Sequence, residues 1–135
     1  EFSGIGFGSA DYCASTGGDM GKASLAYGRG KIINAAALYN TLALDGVWLD
    51  FRDPDGCREE TLYVKTMGFK GRFAIHPDQI KPIHDAYRPT TEELEWAKGV
   101  LEEAKTAGSG AFKYQGKMVD APVLAVARLI ISRED

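Results

Sequence analysis

Strand-like and helix-like segments alternate along the first two thirds of this chain, and that alternation is what most constrains its fold. Short apolar strands are predicted at 2–7, 47–49 and 72–75, and helical spacing of apolar residues follows at 24–42, 59–67 and 78–87. Gly68 is predicted to end the helix at 59–67. Strands that alternate with helices favour a parallel sheet with helical crossovers. Two architectures satisfy the pattern, a doubly wound sheet and part of a (β/α)8 barrel.

The residues after Pro89 follow a different pattern. Thr90 begins a capping box, and apolar residues at helical spacing continue to Gly108. Residues 112–118 alternate like a small hairpin, and residues 121–131 are predicted to form a terminal helix. The sequence therefore predicts two domains.

We place the domain of alternating strands and helices at 1–89 and a C-terminal segment at 90–135. A helix, hairpin and helix of ~45 residues rarely have enough core to stand alone without disulfides or metal. We expect the C-terminal segment to dock on its own barrel or on a neighbouring subunit.

Composition and charge limit the partners. The chain has 135 residues, of which 44% are hydrophobic and 26% charged, as in an ordinary globular protein. A net charge of -3 argues against a nucleic-acid or anionic-membrane surface. The apolar stretch at 121–131 is much shorter than the ~20 residues of a membrane span. We expect neither nucleic acid nor membrane as a partner.

The start of the chain is unlike a natural N-terminus. Because the chain starts at Glu1 with no initiator Met and no signal-like segment, we expect it to begin inside a longer protein.

Cys13 and Cys57 are the only cysteines, and neither has zinc-ligand spacing to a histidine. Two free thiols in a reducing compartment are the favoured interpretation, and one structural disulfide is the alternative. We expect a cytoplasmic protein, with the mitochondrial matrix as the other candidate.

Three short segments carry polar residues at predicted corners, with Asp11, His76 and Asp120 as the candidates for chemistry. Each also has a plain structural interpretation. Asp11 is placed to cap a turn or helix, and Asp120 to cap the terminal helix. A lone His such as His76 is more often a hydrogen-bonded structural group than a ligand.

These segments belong to a larger set of motifs. In chain order the motifs are GSADY (8–12), AYGR (26–29), LDGVWLDFRD (44–53), MGFKG (67–71), AIHPDQI (74–80) and MVDAP (118–122). Together they resemble the citrate lyase beta-subunit-like family, within the aldolase superfamily that includes malyl-CoA and citramalyl-CoA lyases. The resemblance covers nearly the whole chain.

The resemblance implies a fold and a reaction. The fold is a (β/α)8 TIM barrel with a C-terminal lid, of which this chain has about three βα units and a helix-hairpin-helix lid. A whole barrel takes ~250 residues, so a fragment is expected. The implied reaction is Mg²⁺-dependent cleavage of a 3-hydroxyacyl-CoA, malyl-CoA or citramalyl-CoA, to acetyl-CoA and a 2-oxo acid.

Site residues follow from the same resemblance. It implies that Asp11 binds the divalent metal and that backbone groups of Ser9, Ala10 and Asp11 cradle the carboxylate of the 2-oxo acid. Ile75 and His76 are implied to contact the substrate or its CoA arm. Asp120 is implied to be the catalytic acid or base, delivered by the lid into a neighbouring subunit of a homo-oligomer, a trimer or hexamer.

Two family features have no counterpart in this sequence. The family's second metal ligand is a Glu on an earlier strand, and an Arg upstream contacts the substrate. Asp50 and Asp53 are weak substitutes for that Glu. The alternatives are a citrate lyase beta subunit acting on an acyl-carrier protein, a 2-oxo-acid aldolase, and a non-catalytic fragment that binds CoA or a partner.

The other conspicuous side chains are assigned to structure. Arg29 and Arg52 are expected to pair with nearby acids. The aromatic residues expected in the core are Tyr27, Trp48, Phe69 and Trp96.

Overall fold

The computed structural model describes residues 3–108 and 110–134. The chain folds into two compact units, Glu1–Tyr87 and Arg88–Asp135.

The first unit alternates strands and helices. Its elements are β1 Gly4–Gly6, α1 Ser9–Thr16, α2 Lys22–Leu38, β2 Leu42–Asp45, α3 Pro54–Met67, β3 Gly71–Arg72, a turn of 3-10 helix at Pro77–Gln79 and α4 Ile80–Tyr87. The strands form one parallel sheet in the order β1-β2-β3, with Ile5 opposite Ala43 and Leu44 opposite Gly71. The alternation predicted from the sequence is therefore confirmed for these elements.

The helices that follow β1 and β2 pack on the same core. Leu25 of α2, Val64 of α3 and Ala43 of β2 all belong to one buried cluster, each 3% exposed or less. In a (β/α)8 barrel all of the helices lie outside the sheet. The arrangement is the one expected for consecutive units of such a barrel.

The other sheet face is much less covered by the described residues. Leu42 is 51% exposed and Phe73, just beyond β3, is 46% exposed, while Gly6 carries no side chain. In a complete (β/α)8 barrel the face away from the helices points into the barrel.

The second strand lies earlier in the chain than predicted, at Leu42–Asp45 and not at 47–49. The predicted helix at 24–42 ends early, at Leu38, because Asn40 adopts a left-handed φ of 49°. The strand that pairs with β1 is Leu42–Asp45, and the apolar residues 47–49 lie in the loop that follows it. The strand was missed because an aspartate such as Asp45 is typical of turns. Asp45 can end a buried strand here because it forms ion pairs with Arg29 and Arg72.

Other boundaries also differ from the sequence prediction. α1 was not predicted, and α3 begins at Pro54 with Asp53 as its cap, whose Oδ1 accepts a 2.9 Å hydrogen bond from Gly56 N–H. Gly68 ends α3, as predicted, and its φ of 119° is one that side chains rarely adopt. The predicted third strand at 72–75 shortens to Gly71–Arg72. Phe2, included in the first predicted strand, lies outside the described residues.

The second unit contains α5 Thr91–Ala107, a hairpin of β4 Phe112–Tyr114 and β5 Lys117–Val119, and α6 Ala121–Ile131. These elements and the Thr90 capping box are as predicted. The unit has its own small core of Ala97, Val100, Val119 and Ala127, each at most 2% exposed.

The expected core aromatics are only partly confirmed. Phe69 is 1% exposed and belongs to the core, whereas Tyr27 is 69% exposed and the prediction for it is wrong. Tyr27 lies under the ammonium group of Lys31, which is 5.4 Å from the ring centroid. Trp48 and Trp96 are half-buried. Among the described residues, every helix is too short or too polar to cross a lipid bilayer.

Candidate functional site

The candidate site lies where the three parallel strands end. A corner at 7–11 follows β1, a second loop at 46–53 follows β2, and a third loop at 73–76 follows β3. Phe7 N–H donates to Leu44 O at 2.9 Å, and Phe73 N–H donates to Asp45 O at 3.1 Å. These bonds hold the three segments side by side at the carboxyl edge of the sheet, where α/β folds place their ligands.

The first turn of α1 presents donors and a carboxylate. Gly8 is the N-cap and supplies no side-chain cap. The amide N–H groups of Ala10 and Asp11 donate to none of the described residues, and the exposed Asp11 carboxylate makes no hydrogen bond or ion pair with them. Free amides at the positive end of a helix favour an anion.

Ser9 packs this corner against the second loop. It is 2% exposed, its N–H donates to Phe7 O at 3.0 Å, and its Oγ is buried without a partner among the described residues. An ideal Cβ added to Gly46 would lie 2.1 Å from Ser9 Oγ, so only glycine allows this approach. The backbone donors left free at the corner are therefore those of Ala10 and Asp11.

Ile75 and His76 lie on the exposed side of the third loop. Ile75 is 54% exposed, and the His76 side chain is 40% exposed. The His76 ring stacks on Phe51 of the second loop, with centroids 4.8 Å apart and an interplanar angle of 25°. His76 Nδ1 accepts a 3.2 Å hydrogen bond from Asp78 N–H, so the proton of a neutral imidazole sits on Nε2. The stack on Phe51 and the hydrogen bond to Nδ1 fix the orientation of the His76 ring, and the N–H of Nε2 is its hydrogen-bond donor.

A buried glutamine joins the same two loops. Gln79 is 1% exposed; its Oε1 accepts from Ile75 N–H at 2.9 Å, and its Nε2 donates to Trp48 O at 2.7 Å. Neither Gln79 nor Phe51 is among the functional residues predicted from the sequence. Both lie inside the motifs that carry the family resemblance, which was the available signal.

Asp120 belongs to the second unit and caps α6. Its Oδ1 accepts a 3.3 Å hydrogen bond from Val123 N–H, and the residue is half-buried. The predicted capping role is therefore confirmed.

A buried ion cluster supports the second loop from the helix side. Arg29 donates to both oxygens of Asp45 at 3.1 Å, and its Nη2 lies 2.8 Å from Glu60 Oε1. Arg72 Nη2 reaches Asp45 Oδ2 at 2.5 Å, and its Nε donates to Gly46 O at 2.9 Å. The structural role expected for Arg29 is confirmed. Because Asp45 is fully buried between two arginines, its carboxylate is unavailable to the Asp11 corner.

Arg52 does not pair with an acid among the described residues, contrary to expectation. Its guanidinium lies instead over the Phe51 ring, 5.4 Å from the centroid. The preceding Asp50 uses Oδ1 to accept from Arg52 N–H at 3.0 Å.

The described residues contain no group of three His, Cys, Asp or Glu side chains able to enclose a metal ion. Asp53, a weak substitute for the family's Glu, caps α3 through Oδ1. Asp11 thus offers one hard oxygen donor, which suits Mg²⁺ as part of an open site and not as a complete cage.

The side chains of Cys57 and Asp19 have shifted pKa values. Burial raises the pKa of the Cys57 thiol, since the charged thiolate would lose its hydration. Hydrogen bonds from Ser24 Oγ and Gly21 N–H to Asp19 Oδ1 lower the pKa of the Asp19 carboxyl. Cys13 and Cys57 are free thiols, as predicted, and both are buried.

Comparison with known proteins places this geometry in a family. Residues 30–134 match the family model described as C-C_Bond_Lyase of the TIM-Barrel fold. The mitochondrial citramalyl-CoA lyase of Rattus norvegicus is 37% identical over 131 residues, which are 93% of this chain and 39% of that protein. A citrate lyase subunit beta-like protein of Mycobacterium tuberculosis is 39% identical over 137 residues, 96% of this chain and 50% of that protein.

A solved structure agrees with these relatives. Protein CitE from Mycobacterium tuberculosis, crystallised with magnesium, acetoacetate and coenzyme A, matches with a TM-score of 0.80 and 36% identity, covering 98% of this chain and 52% of that one. This chain therefore spans about half of the proteins it matches, or less. The family match extends over most of the chain, and the fold predicted from the sequence, part of a (β/α)8 barrel, is confirmed. The chain belongs to the carbon–carbon bond lyase family of the TIM-barrel fold.

Proposed function

We propose that the whole protein is a Mg²⁺-dependent carbon–carbon lyase that cleaves a 3-hydroxyacyl-CoA of the malyl-CoA or citramalyl-CoA type to acetyl-CoA and a 2-oxo acid. The observation that carries the proposal is the first turn of α1, where two free amides and the unpaired Asp11 carboxylate lie together. The relatives support the substrate class: the rat protein is a citramalyl-CoA lyase, and the CitE structure contains magnesium, acetoacetate and coenzyme A.

The chain's own groups divide the binding work. The amides of Ala10 and Asp11 hold the carboxylate of the 2-oxo acid portion, because donors at a helix start favour an anion. Asp11 supplies one oxygen ligand to Mg²⁺, and the remaining ligands come from water, substrate and a carboxylate outside the described residues. When bound, Mg²⁺ supplies Lewis-acid polarisation of the substrate oxygens.

The CoA side fits the second and third loops. Ile75 and Phe51 present exposed apolar surface, and His76 presents the N–H of Nε2. An apolar surface with a few placed donors suits the long, uncharged pantetheine arm of a CoA thioester.

Asp120 moves the proton. As the bond between C2 and C3 breaks, the carboxylate of Asp120 accepts the proton of the 3-hydroxyl, which becomes the carbonyl of the 2-oxo acid. The electron pair of the broken bond stays on C2, and the carboxyl of Asp120 donates a proton to that carbon, giving the acetyl group of acetyl-CoA. We place Asp120 on a lid, the segment 90–135, that reaches the site of a neighbouring subunit in a homo-oligomer.

Direct assay of the full-length protein tests the proposal. It should release acetyl-CoA and pyruvate from citramalyl-CoA, or acetyl-CoA and glyoxylate from malyl-CoA, and EDTA should stop the reaction until excess Mg²⁺ is added. Asp11→Asn should lower kcat/KM about a hundredfold or more. Asp55→Asn is the matched control, since Asp55 is also an exposed acid in the first turn of a helix. Equal effects of the two substitutions would refute the metal role of Asp11.

Mixing two inactive variants tests delivery in trans. Full-length Asp11→Asn and Asp120→Asn subunits, unfolded and reassembled together, should regain activity in about a quarter of their sites if each site combines two subunits. Recovery of no activity, with normal assembly by light scattering, would mean that Asp120 serves its own barrel.

A further inference from the structure

We propose that Gln79 is a positioning residue that sets the spacing of the second loop (46–53) and the third loop (73–76), and thereby the affinity for the acyl-CoA arm. The inference rests on the proposed function, because it takes Ile75, His76 and Phe51 as the CoA side. It assigns a role in substrate binding to a side chain that touches no substrate itself.

The geometry of Gln79 is that of a clamp between two backbones. Its amide oxygen accepts from Ile75 N–H at 2.9 Å, and its amide nitrogen donates to Trp48 O at 2.7 Å. One side chain thus satisfies a donor of the third loop and an acceptor of the second. Because Gln79 is 1% exposed, water cannot readily replace it.

An exposed contact joins the same loops a few residues away. The His76 ring stacks on Phe51, with the two centroids 4.8 Å apart. The partners of the clamp, Trp48 and Ile75, are close in sequence to the partners of the stack, Phe51 and His76. The buried hydrogen bonds therefore determine how the exposed rings meet, and a small shift in loop spacing alters both ring contact and Ile75.

The chemistry of the clamp requires an amide. A glutamate at 79 keeps an acceptor for Ile75 N–H but places a carboxylate against the Trp48 carbonyl, where a donor is needed. A methionine keeps the length and volume and makes neither bond. These two replacements break the clamp by one bond or by both while the side chain remains similar in size.

The test uses the full-length protein with Gln79→Met and Gln79→Glu, and Asn34→Met as a control at an exposed amide of α2. Hydrogen exchange is measured by mass spectrometry for peptides that cover 46–53 and 73–76, and KM and kcat are measured with the acyl-CoA substrate. We expect faster exchange in both loops, unchanged exchange in α2, and KM raised about tenfold with kcat within about threefold of wild type. Asn34→Met should change neither the exchange of the two loops nor KM and kcat.

The outcomes separate this inference from the proposed function. A wild-type protein that cleaves neither thioester refutes the proposed function. An active wild type whose Gln79→Met variant keeps its KM, or loses kcat at unchanged KM, refutes the positioning role. Faster exchange in only one loop also refutes it, because a clamp must release both.

Discussion

Arg29 grips Asp45 with two parallel hydrogen bonds, from Nε to Oδ1 and from Nη2 to Oδ2, both 3.1 Å long and both buried. A carboxylate taken out of water at a strand end needs such a partner, because burial of an unpaired charge costs several kcal/mol. Asp45 immediately precedes Gly46 and the second loop. The ion pair therefore fixes the start of the second loop, which is part of the candidate site, to α2.

Glu60 and Glu59 offer a matched test of this buried cluster. Glu60 pairs with Arg29 at 2.8 Å and is 8% exposed, whereas its neighbour Glu59 on the same helix is exposed. Glu60→Gln should lower the free energy of unfolding by about 1.5–3 kcal/mol, the range for a hydrogen bond to a charged group. Glu59→Gln should change it by less than about 0.5 kcal/mol. Urea denaturation of the full-length variants measures both, and equal losses would contradict the assigned role of the cluster.

Substitutions at Asp120 can distinguish its role as a helix cap from its proposed role in proton transfer. Asn is as good a helix cap as Asp, so Asp120→Asn should keep the thermal midpoint of wild type and lose activity by about 10²–10⁴-fold, the range for a lost general acid. Asp120→Ala should lose that activity and also about 1 kcal/mol of stability. Calorimetry and steady-state rates measure the two effects. Full activity in Asp120→Asn would show that Asp120 is a cap only.

Gly46→Ala should damage the corner that carries Asp11. The added methyl would meet Ser9 Oγ and Phe7 O at 2.1 and 2.9 Å, so the backbone must move. Overpacking of this kind costs about 1–3 kcal/mol, and we also expect weaker binding of the 2-oxo acid. Gly30→Ala, in the interior of α2 with open space around it, should stabilise the protein by about 0.5–1 kcal/mol. The Gly46 prediction is wrong if Gly46→Ala and Gly30→Ala have the same free energy of unfolding and the same affinity for pyruvate.

Cys57 should make stability fall at alkaline pH. Burial raises the pKa of its thiol in the folded state, so the folded protein holds the proton more tightly than the unfolded chain does. In the unfolded chain the thiol has a pKa of about 8.5. The contribution is fully present below that pH and is lost as pH rises towards the folded pKa. The free energy of unfolding of wild type should therefore decline more steeply between pH 8 and 10 than that of Cys57→Ala. Parallel pH profiles would exclude Cys57 as the cause.

The sequence alone determined the features that depend on local chemistry. The Thr90 capping box, the Gly68 stop, the hairpin and the Asp120 cap are encoded within a few neighbouring residues, so each was predicted at its observed place. The family resemblance likewise rests on motifs that can be recognised in order along the chain, and the comparisons confirm it.

Only the tertiary structure decided which residues lie together. A strand ending in Asp45 is stable because Arg29 and Arg72 reach it from distant positions, and no local pattern predicts that. Long-range contacts also place α2 and α3 on one face of the sheet, and they bring Gln79 and Trp48 together from 31 residues apart. Local sequence specifies turns and caps because their hydrogen bonds close within a few residues. Burial of charge and the pairing of loops depend on contacts that exist only once the chain has folded.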